Sequence, residues 1–282
     1  MADEDASPAA PKLRKALTAT GDVCVQSRLQ DSMQNLLQFN EYTVVKPLGE
    51  GSFATVDLCE VRRPRASFFA RAPRPEQFAV KIFQNSIGKS RRDAGAPYDA
   101  AIAREIAIMR RLRHPNLVAL REVVDDEAED MLYMVLEYVP GGPVMDWDED
   151  EKVFVAPSTR GVLDEPAAAA ALSDVLHGLA YLHLHHICHR DLKPQNILVD
   201  ARGRCKIADF GVSHHFDDED DDDDDDSPRS PSSPATAMSH DSKRGQLRAT
   251  EGTRAFWAPE MLGESPGHGF SGCAQDAWAR RG

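Results

Sequence analysis

The segment from His189 to Gly211 gathers several polar side chains of the kind that catalyse group transfer. They belong to Asp191, Lys193, Asn196 and Asp209. A carboxylate such as that of Asp191 can accept the proton of a hydroxyl group, which makes it a candidate general base. Oxygen ligands are those that Mg²⁺ prefers, so Asn196 and Asp209 are candidate ligands for this ion. The segment therefore predicts a base beside a divalent-cation site.

Two elements nearer the N-terminus have the residue types needed to bind an anion. Gly49-Glu50-Gly51-Ser52-Phe53 lies between two β-branched runs. Its glycines would let backbone N–H groups approach anionic oxygens without a Cβ in the way. Lys81 lies in the apolar run Phe78 to Phe83, where an unpaired ammonium is costly. We expect Glu105 to be the partner of Lys81.

Each of these features also has a simpler interpretation when taken alone. A Gly-x-Gly turn is common in plain hairpins, and the segment at Gly49 lacks the Gly-Lys-Ser/Thr of a Walker loop. A strand lysine such as Lys81 can instead extend its ammonium into solvent. Three histidines close to the motif, His183, His185 and His186, fall at the solvent end of a predicted helix, so we do not expect a zinc site.

The elements that must position these residues form a strand-rich part, followed by a part that opens with a helix. Predicted strands cover 42–45, 55–58, 78–83, 116–120, 132–136, 197–199 and 205–208, and a predicted helix covers 100–113. Asp164-Glu165-Pro166 is a typical helix entry. That helix is expected to run to about His183 and to bury Leu172, Leu176, Leu179 and Leu182. This order predicts a two-lobed α+β fold with a cleft between the lobes.

The predicted regions are a flexible N-terminal tail over 1–40, a strand-rich lobe with a hinge over 41–139, and a helical lobe over 140–282. Within the last, a disordered insertion is expected at about 215–247, because the acidic run Asp217 to Asp226 repels itself and three Ser-Pro pairs follow it. An alternative is that the acidic run competes for the cationic Arg190 and Lys193.

Composition bounds the chain to one large or two small globular domains with a core. It has 282 residues, of which 41% are hydrophobic, and a net charge of −13. The acidic run explains most of that charge, so a nucleic-acid-binding surface is not expected. Five dispersed cysteines without a C-x-x-C pair predict reduced thiols. Without a secretory signal or an apolar run near the ~18 residues of a membrane span, we expect a protein of the cytoplasm or nucleus, without a membrane partner.

Five elements, in this order, resemble the signature set of the eukaryotic protein kinase family. They are Gly49 to Val56, Ala79 to Lys81, His189 to Asn196, Asp209 to Gly211 and Ala258 to Glu260. A lysine two residues after Asp191 is similar to that of the serine/threonine branch. The resemblance implies a two-lobed kinase fold that binds ATP and Mg²⁺ and transfers the γ-phosphoryl group of ATP to a protein hydroxyl.

The resemblance also implies a role for each motif residue. Asp191 would orient and deprotonate the substrate hydroxyl, and Lys193 would neutralise charge on the transferred group. Lys81, fixed by Glu105, would hold the α- and β-phosphates. The metal ligands would be Asn196 and Asp209. The implied ATP contacts come from Gly49, Glu50, Gly51, Ser52, Phe53, Val56, Ala79, Lys81, Glu137, Val139 and Leu198.

Within the serine/threonine branch, three segments resemble the calcium/calmodulin-dependent protein kinase kinases and the related activators of AMP-activated and SNF1-related kinases. These segments are Asp130 to Val139, Gly142 to Met145 and Gly252 to Phe256. The resemblance implies a kinase-activating cascade with a downstream kinase as the protein substrate. The sequence leaves open whether a calmodulin-type regulator binds.

Arg190 is expected to be a buried cation that needs an anion. In kinases of this kind a phosphate on the activation loop supplies it, so the resemblance implies control by phosphorylation, with Thr250 as the candidate site. Thr253 is expected to form hydrogen bonds with Asp191 and Lys193 instead.

The resemblance covers about Glu41 to Trp278, beyond which the family's lower lobe normally continues with further helices. We therefore expect a C-terminally truncated kinase with an incomplete helical lobe, weakly active at best, and a Glu260 whose usual basic partner is missing. The alternative is an inactive nucleotide-binding or scaffold protein. Intact Lys81, Asp191, Asn196 and Asp209 speak against that alternative.

Overall fold

The computed structural model describes residues 38–50, 54–62, 74–84, 96–126, 131–157, 161–216, 246–247, 251–262 and 270–279. The chain divides into two compact units, the first running to Arg113 and including Val118–Pro140, the second comprising His114–Leu117 and Gly141–Gly282. Residues 1–37 of the predicted tail and the acidic run lie outside the described residues.

Unit 1 is a six-stranded antiparallel sheet with one described helix, α1 (Ala96–Arg111). Its strands are β1 (Gln38–Phe39), β2 (Tyr42–Glu50), β3 (Thr55–Val61), β4 (Glu76–Gln84), β5 (Leu120–Asp126) and β6 (Met131–Glu137). The spatial order is β1-β2-β3-β4-β6-β5, so β4, which carries Lys81, lies inside the sheet. The strand predicted at 116–120 was wrong, because β5 begins only at Leu120.

Aromatic stacking anchors one face of this sheet. The ring of Phe39 lies 4.2 Å from that of Tyr133 and 5.2 Å from that of Tyr42, and all three side chains are buried. These rings pack with Val80 and Val135 in one hydrophobic cluster. Aromatic and β-branched residues suit strands because they pack well on a pleated, half-buried surface.

Unit 2 is built on helix α2 (Glu165–Leu184) and a set of two-stranded pairs. The pairs are β7 (Asp146–Asp148) with β8 (Val153–Val155), β9 (Ile187–Cys188) with β12 (His214–His215), β10 (Ile197–Val199) with β11 (Cys205–Ile207), and β13 (Gln246–Leu247) with β14 (Phe270–Ser271). A shorter helix, α3 (Gly272–Ala279), follows β14. Together the units confirm the predicted α+β class.

Helix α2 begins where the sequence predicts, because the Asp164 carboxylate accepts the N–H of Ala167 at 2.8 Å. Its predicted buried face was partly wrong. Leu172 and Leu176 are 44% and 36% exposed. The buried positions are Val175, Gly178, Leu179 and Leu182.

Gly178 lies on the buried face of α2 and lets the helix backbone approach β11 closely. A Cβ there would lie 3.0 Å from the side chain of Ile207 and 3.0 Å from the carbonyl oxygen of Asn116. Among the described helices, α2 alone is long and apolar enough for a membrane span, a test that the core helix of a soluble protein also passes. Its buried residues pack on β9 and β11.

Candidate active site

Strand pairing in unit 1 lines up three of the predicted ATP-contacting residues. Gly49 pairs with Val56 across β2 and β3, and Val56 pairs with Lys81 across β3 and β4. Directly opposed residues of antiparallel strands place their side chains on the same face of the sheet. Ala79 lies two residues before Lys81 on β4, and side chains two apart on a strand share a face. Val56, Ala79 and Lys81 therefore share one face.

The ammonium of Lys81 is held by the carboxylate predicted for it. Nζ of Lys81 lies 2.7 Å from Oε1 of Glu105, which α1 carries. The Glu105 side chain is 4% exposed and that of Lys81 is 17% exposed, so the pair is largely removed from water. Nζ also lies 5.4 Å from the ring centroid of Phe83. Such a pair fixes the position of a cation that keeps some access to solvent.

The end of β6 supplies the remaining predicted ATP contacts of unit 1. The backbone N–H of Glu137 donates to the carbonyl of Ala119 at 2.9 Å, and Val139 is buried. Glu50 ends β2, while Gly51, Ser52 and Phe53 lie outside the described residues.

In unit 2, the carboxylate of Asp191 is oriented by contacts to three residues. Its Oδ1 accepts the backbone N–H of Thr253 at 2.6 Å. Its Oδ2 lies 2.8 Å from Nζ of Lys193 and accepts Nδ2 of Asn196 at 3.1 Å. Lys193 also donates to the hydroxyl of Thr253 at 2.8 Å, as expected from the sequence. The structure thus brings these four residues together around one carboxylate.

The two predicted metal ligands come from neighbouring backbone segments. Asn196 closes the 3-10 helix Pro194–Asn196, and its carbonyl accepts the N–H of Ala208 at 2.8 Å. Asp209 comes directly after Ala208 and has φ 62, in the left-handed region. Because Nδ2 of Asn196 donates to Asp191, the amide oxygen is the end of that side chain suited to a cation. Amide and carboxylate oxygens are donors of the kind that Mg²⁺ prefers, so the chemistry of both residues fits this ion.

A buried carboxylate that the sequence did not single out supports the backbone before Asp191. Asp276 of α3, 1% exposed, accepts the N–H groups of His189 and Arg190 at 2.8 Å each. It also accepts Nε2 of His183 at 2.9 Å. Gln275 donates to the carbonyl of Arg190 at 2.8 Å. Helix α3 therefore positions the segment that leads into the candidate base.

The buried Arg190 has a carboxylate neighbour in the segment that precedes Thr253. Its Nη1 lies 3.0 Å from Oε2 of Glu251. The sequence-based candidate for the anion, Thr250, lies outside the described residues. Glu251 directly follows Thr250 in the sequence, and this acidic residue is the signal from which a carboxylate partner of Arg190 could have been predicted.

Gly252 lets the segment of Glu251 and Thr253 pass directly over this backbone. It has φ 95, and a Cβ there would overlap the carbonyl oxygen of Arg190. A residue with a side chain would be strained in φ and blocked by backbone atoms. Glycine at this position therefore permits both the Thr253–Asp191 contact and the Glu251–Arg190 ion pair.

Leu198, the predicted apolar contact to ATP from unit 2, lies at the middle of β10. It is half-buried, pairs with Lys206 of β11 and forms a bridge with Pro143. The strand pair therefore fixes Leu198 to the same hairpin whose ends carry Asn196 and Asp209.

Comparison with known proteins agrees with this site. The family described as "Protein kinase domain" matches residues 42–280. The chain belongs to the protein kinase family. The kinase domain is 33% identical over 263 residues to a calcium/calmodulin-dependent protein kinase kinase of Caenorhabditis elegans, covering 90% of this chain. It is 36% and 37% identical to the serine/threonine-protein kinases GRIK1 and GRIK2 of Arabidopsis thaliana, in each case over 85% of this chain.

These relatives confirm the sequence-based assignment to serine/threonine protein kinases and to the two-lobed kinase fold. The chain spans less than half of their lengths, 42% of the Caenorhabditis protein and 49% and 48% of the two Arabidopsis proteins.

Proposed function

We propose that the chain is an ATP-dependent serine/threonine protein kinase that transfers the γ-phosphoryl group of ATP to a protein hydroxyl. The observation that carries this proposal is the set of contacts around Asp191. A carboxylate oriented by a backbone N–H, an amide and an ammonium is arranged to receive a hydroxyl proton.

Lys193 can serve both the carboxylate and the transferred group. Its ammonium has three donors, of which two contact Asp191 and Thr253. The third donor can contact a phosphoryl oxygen as negative charge is redistributed. Phosphoryl transfer depends chiefly on positioning and on charge stabilisation, which is what these side chains provide.

On the nucleotide side, Lys81 is the residue suited to the α- and β-phosphates. Glu105 holds the ammonium in one place through a hydrogen bond of 2.7 Å. Asn196 and Asp209 would hold Mg²⁺, which when bound neutralises phosphate charge and orients the γ-phosphoryl group. The residues of unit 1 and unit 2 are proposed to serve this one reaction.

The proposed specificity for serine and threonine rests on Lys193 and on the relatives. Lys193 contacts both Asp191 and Thr253, so its ammonium lies beside the carboxylate that would receive the hydroxyl proton. The relatives named above are serine/threonine kinases or a kinase of protein kinases. We propose, by this similarity, that the substrate is a serine or threonine of another protein kinase, in the cytoplasm or nucleus.

A transfer assay with three arms tests this proposal. The chain is incubated with γ-labelled ATP and Mg²⁺ together with a catalytically dead kinase domain of the AMP-activated type, with casein, or without substrate. Label on serine or threonine of the kinase domain, lost when EDTA removes Mg²⁺, is the expected result. Label on tyrosine, or transfer independent of Mg²⁺, would contradict the proposal.

A parallel thermal-shift measurement of ATP binding distinguishes the enzyme from the second candidate function, which is a nucleotide-binding scaffold. A nucleotide-binding scaffold would show a Mg²⁺- and ATP-dependent shift without any transfer. The buried ion pair of Lys81 and the contacts of Asp191 favour the enzyme, because a scaffold has no need of the oriented base.

A further inference from the structure

Two thiols that the proposed reaction does not use lie against each other. Sγ of Cys188 is 3.4 Å from Sγ of Cys273. Cys188 ends β9 and is buried, whereas Cys273 lies in the first turn of α3 and is half-buried. The two residues are 85 positions apart in the sequence, so the fold of unit 2 has brought them together.

The backbone of α3 lies directly on the side chain of Cys188. A Cβ on Gly272 would lie 2.7 Å from Sγ and 3.1 Å from Cβ of Cys188. Any residue larger than glycine would separate the two segments. The close approach therefore depends on the neighbour of Cys273, and it holds the two thiols within reach of each other.

We propose that Cys188 and Cys273 form a reversible disulfide when the chain meets a hydroperoxide, which makes this thiol pair an oxidative modification site. In a reducing compartment, such bonds are usually transient and redox-sensing rather than structural.

The environment of the pair assigns a role to each sulfur. The hydrogen bond between the two thiols, together with the nearby His183 and His186, lowers the pKa of Cys273 to about 6. The same bond and burial raise the pKa of Cys188. Cys273, which is both half-buried and thiolate-forming, is thus the nucleophile, since the thiolate is the reactive form.

The disulfide forms in two steps. The Cys273 thiolate attacks one peroxide oxygen, the O–O bond breaks, and a sulfenic acid forms with release of water or an alcohol once a proton is taken up. The Cys188 sulfur then attacks the Cys273 sulfur, the S–O bond breaks, and the Cys188 proton leaves with hydroxide as water. The two thiols lose two electrons and the hydroperoxide gains them.

A metal site is the competing use of the same atoms. The sulfurs of Cys188 and Cys273 and a ring nitrogen of His183 lie within 4.8 Å of one another. The His183 Nε2, however, is 2.9 Å from Oδ2 of Asp276. That oxygen also accepts the N–H of His189, so an ion bound through Nε2 would displace the imidazole from a carboxylate that supports the catalytic segment. Among the described residues the cluster offers three ligands, one fewer than a structural zinc site uses. This favours the disulfide.

The bond would act on the backbone that leads to Asp191. Sulfur atoms 3.4 Å apart must come to about 2.05 Å, so one segment has to move by on the order of 1 Å. Cys188 directly precedes His189, whose N–H is held by α3 through Asp276. A further consequence, which rests on the proposed function, is slower phosphoryl transfer in the oxidised chain.

Mass spectrometry tests the proposal without relying on activity. The whole chain is treated with hydrogen peroxide, remaining thiols are alkylated, and the peptides are mapped. We expect the monomer to lose two hydrogen atoms, with one cross-linked peptide pair containing Cys188 and Cys273, and dithiothreitol to restore both thiols. A bond to Cys24, Cys59 or Cys205 instead, or no bond, would overturn the proposal.

Variants make the assignment specific. Cys273→Ser and Cys188→Ala should each abolish the mass loss, whereas Cys205→Ala, which removes another buried thiol, should retain it; circular dichroism confirms that each variant is folded. Stoichiometric zinc in the purified chain that blocks oxidation would also overturn the proposal. If the disulfide forms but transfer was never detected, the modification site stands and only the proposed function fails.

Discussion

Arg190 and Glu251 form an ion pair of 3.0 Å between Nη1 and Oε2, with the guanidinium side chain 4% exposed and the carboxylate side chain 32% exposed. The pair joins the residue before the candidate base to the residue two positions before Thr253. Since the Thr253 N–H contacts Asp191, Glu251 also helps to position the carboxylate on which transfer depends. In the unmodified chain, Glu251 is therefore a negatively charged partner of Arg190, and phosphorylation of Thr250 stays a prediction.

Glu251→Gln is expected to slow phosphoryl transfer and to lower stability. The substitution removes the negative charge that faces the buried guanidinium of Arg190. A hydrogen bond to a charged group is worth about 1.5–3 kcal/mol. Thr250→Ala should slow transfer less than Glu251→Gln does. The measurements are initial rates and urea unfolding, with Glu149→Gln, which breaks an exposed ion pair with Lys152, as the control. A larger effect of Thr250→Ala, or phosphatase sensitivity of the parent chain, would favour the phosphate.

Glu105→Gln is expected to raise the KM for ATP and to lower kcat/KM by about 10- to 100-fold. Removing one member of a buried ion pair leaves the other charge poorly compensated, at a cost of about 3–5 kcal/mol when fully buried. The cost should be smaller here, because the Lys81 side chain keeps some contact with solvent. Arg104→Gln, on the same helix and one residue away, is the matched control. Equal ATP kinetics in the two variants would refute a nucleotide-positioning role for the pair.

The Thr253→Val and Thr253→Ser variants should differ in kcat, because only valine lacks the hydroxyl that Lys193 contacts. The backbone N–H bond to Asp191 survives in both. Loss of a hydrogen bond to an ammonium predicts a decrease in kcat of about 10- to 100-fold for valine, since about 1.4 kcal/mol is tenfold. Serine should retain most of the rate. Steady-state kinetics with a serine and a threonine substrate check this, and a slow serine variant would contradict it.

The His183–Asp276 contact predicts a pH dependence of stability. Burial alone would lower the pKa of His183, but the hydrogen bond and negative charge of Asp276 outweigh it, so the pKa is raised above the usual 6.5. Protonated His183 then stabilises the fold fully below about pH 6.5, and the stabilisation is lost as the pH rises through the raised pKa.

The test compares the free energy of unfolding with and without His183→Gln from pH 6 to 9. Both chains carry Cys273→Ser, because the Cys273 thiol faces the same group and its own pKa is lowered into this range. The difference between the two chains should shrink as the pH rises. A difference that is constant or grows would mean that His183 is not charged in the folded state.

Local sequence signals were sufficient for the elements that carry the site. The strand runs around Val56 and Lys81 and the helix entry at Asp164 were predicted because periodicity and capping are encoded within a few residues. The Lys81–Glu105 pair was predicted because a strand ammonium requires a nearby anion.

Contacts between distant segments were not predictable in this way. Asp276 holds backbone groups 86 and 87 positions away, and nothing in its local pattern points to them. The buried face of α2 was misassigned because Gly178, rather than a large side chain, marks its closest approach to β11. The Arg190–Glu251 contact was not predicted because it joins two segments that are far apart in the sequence.

The most direct test of the account is the rate of phosphoryl transfer in Asp191→Asn. Asparagine keeps the shape of the side chain but cannot accept the hydroxyl proton, and general-base catalysis contributes about 10²–10⁴-fold. Asp150→Asn, which changes an exposed acid outside the site, is the control. We predict a loss of at least about 100-fold in kcat for Asp191→Asn, with unchanged ATP affinity and an unaffected control. An Asp191→Asn chain that transfers phosphate at the parent rate would contradict the account.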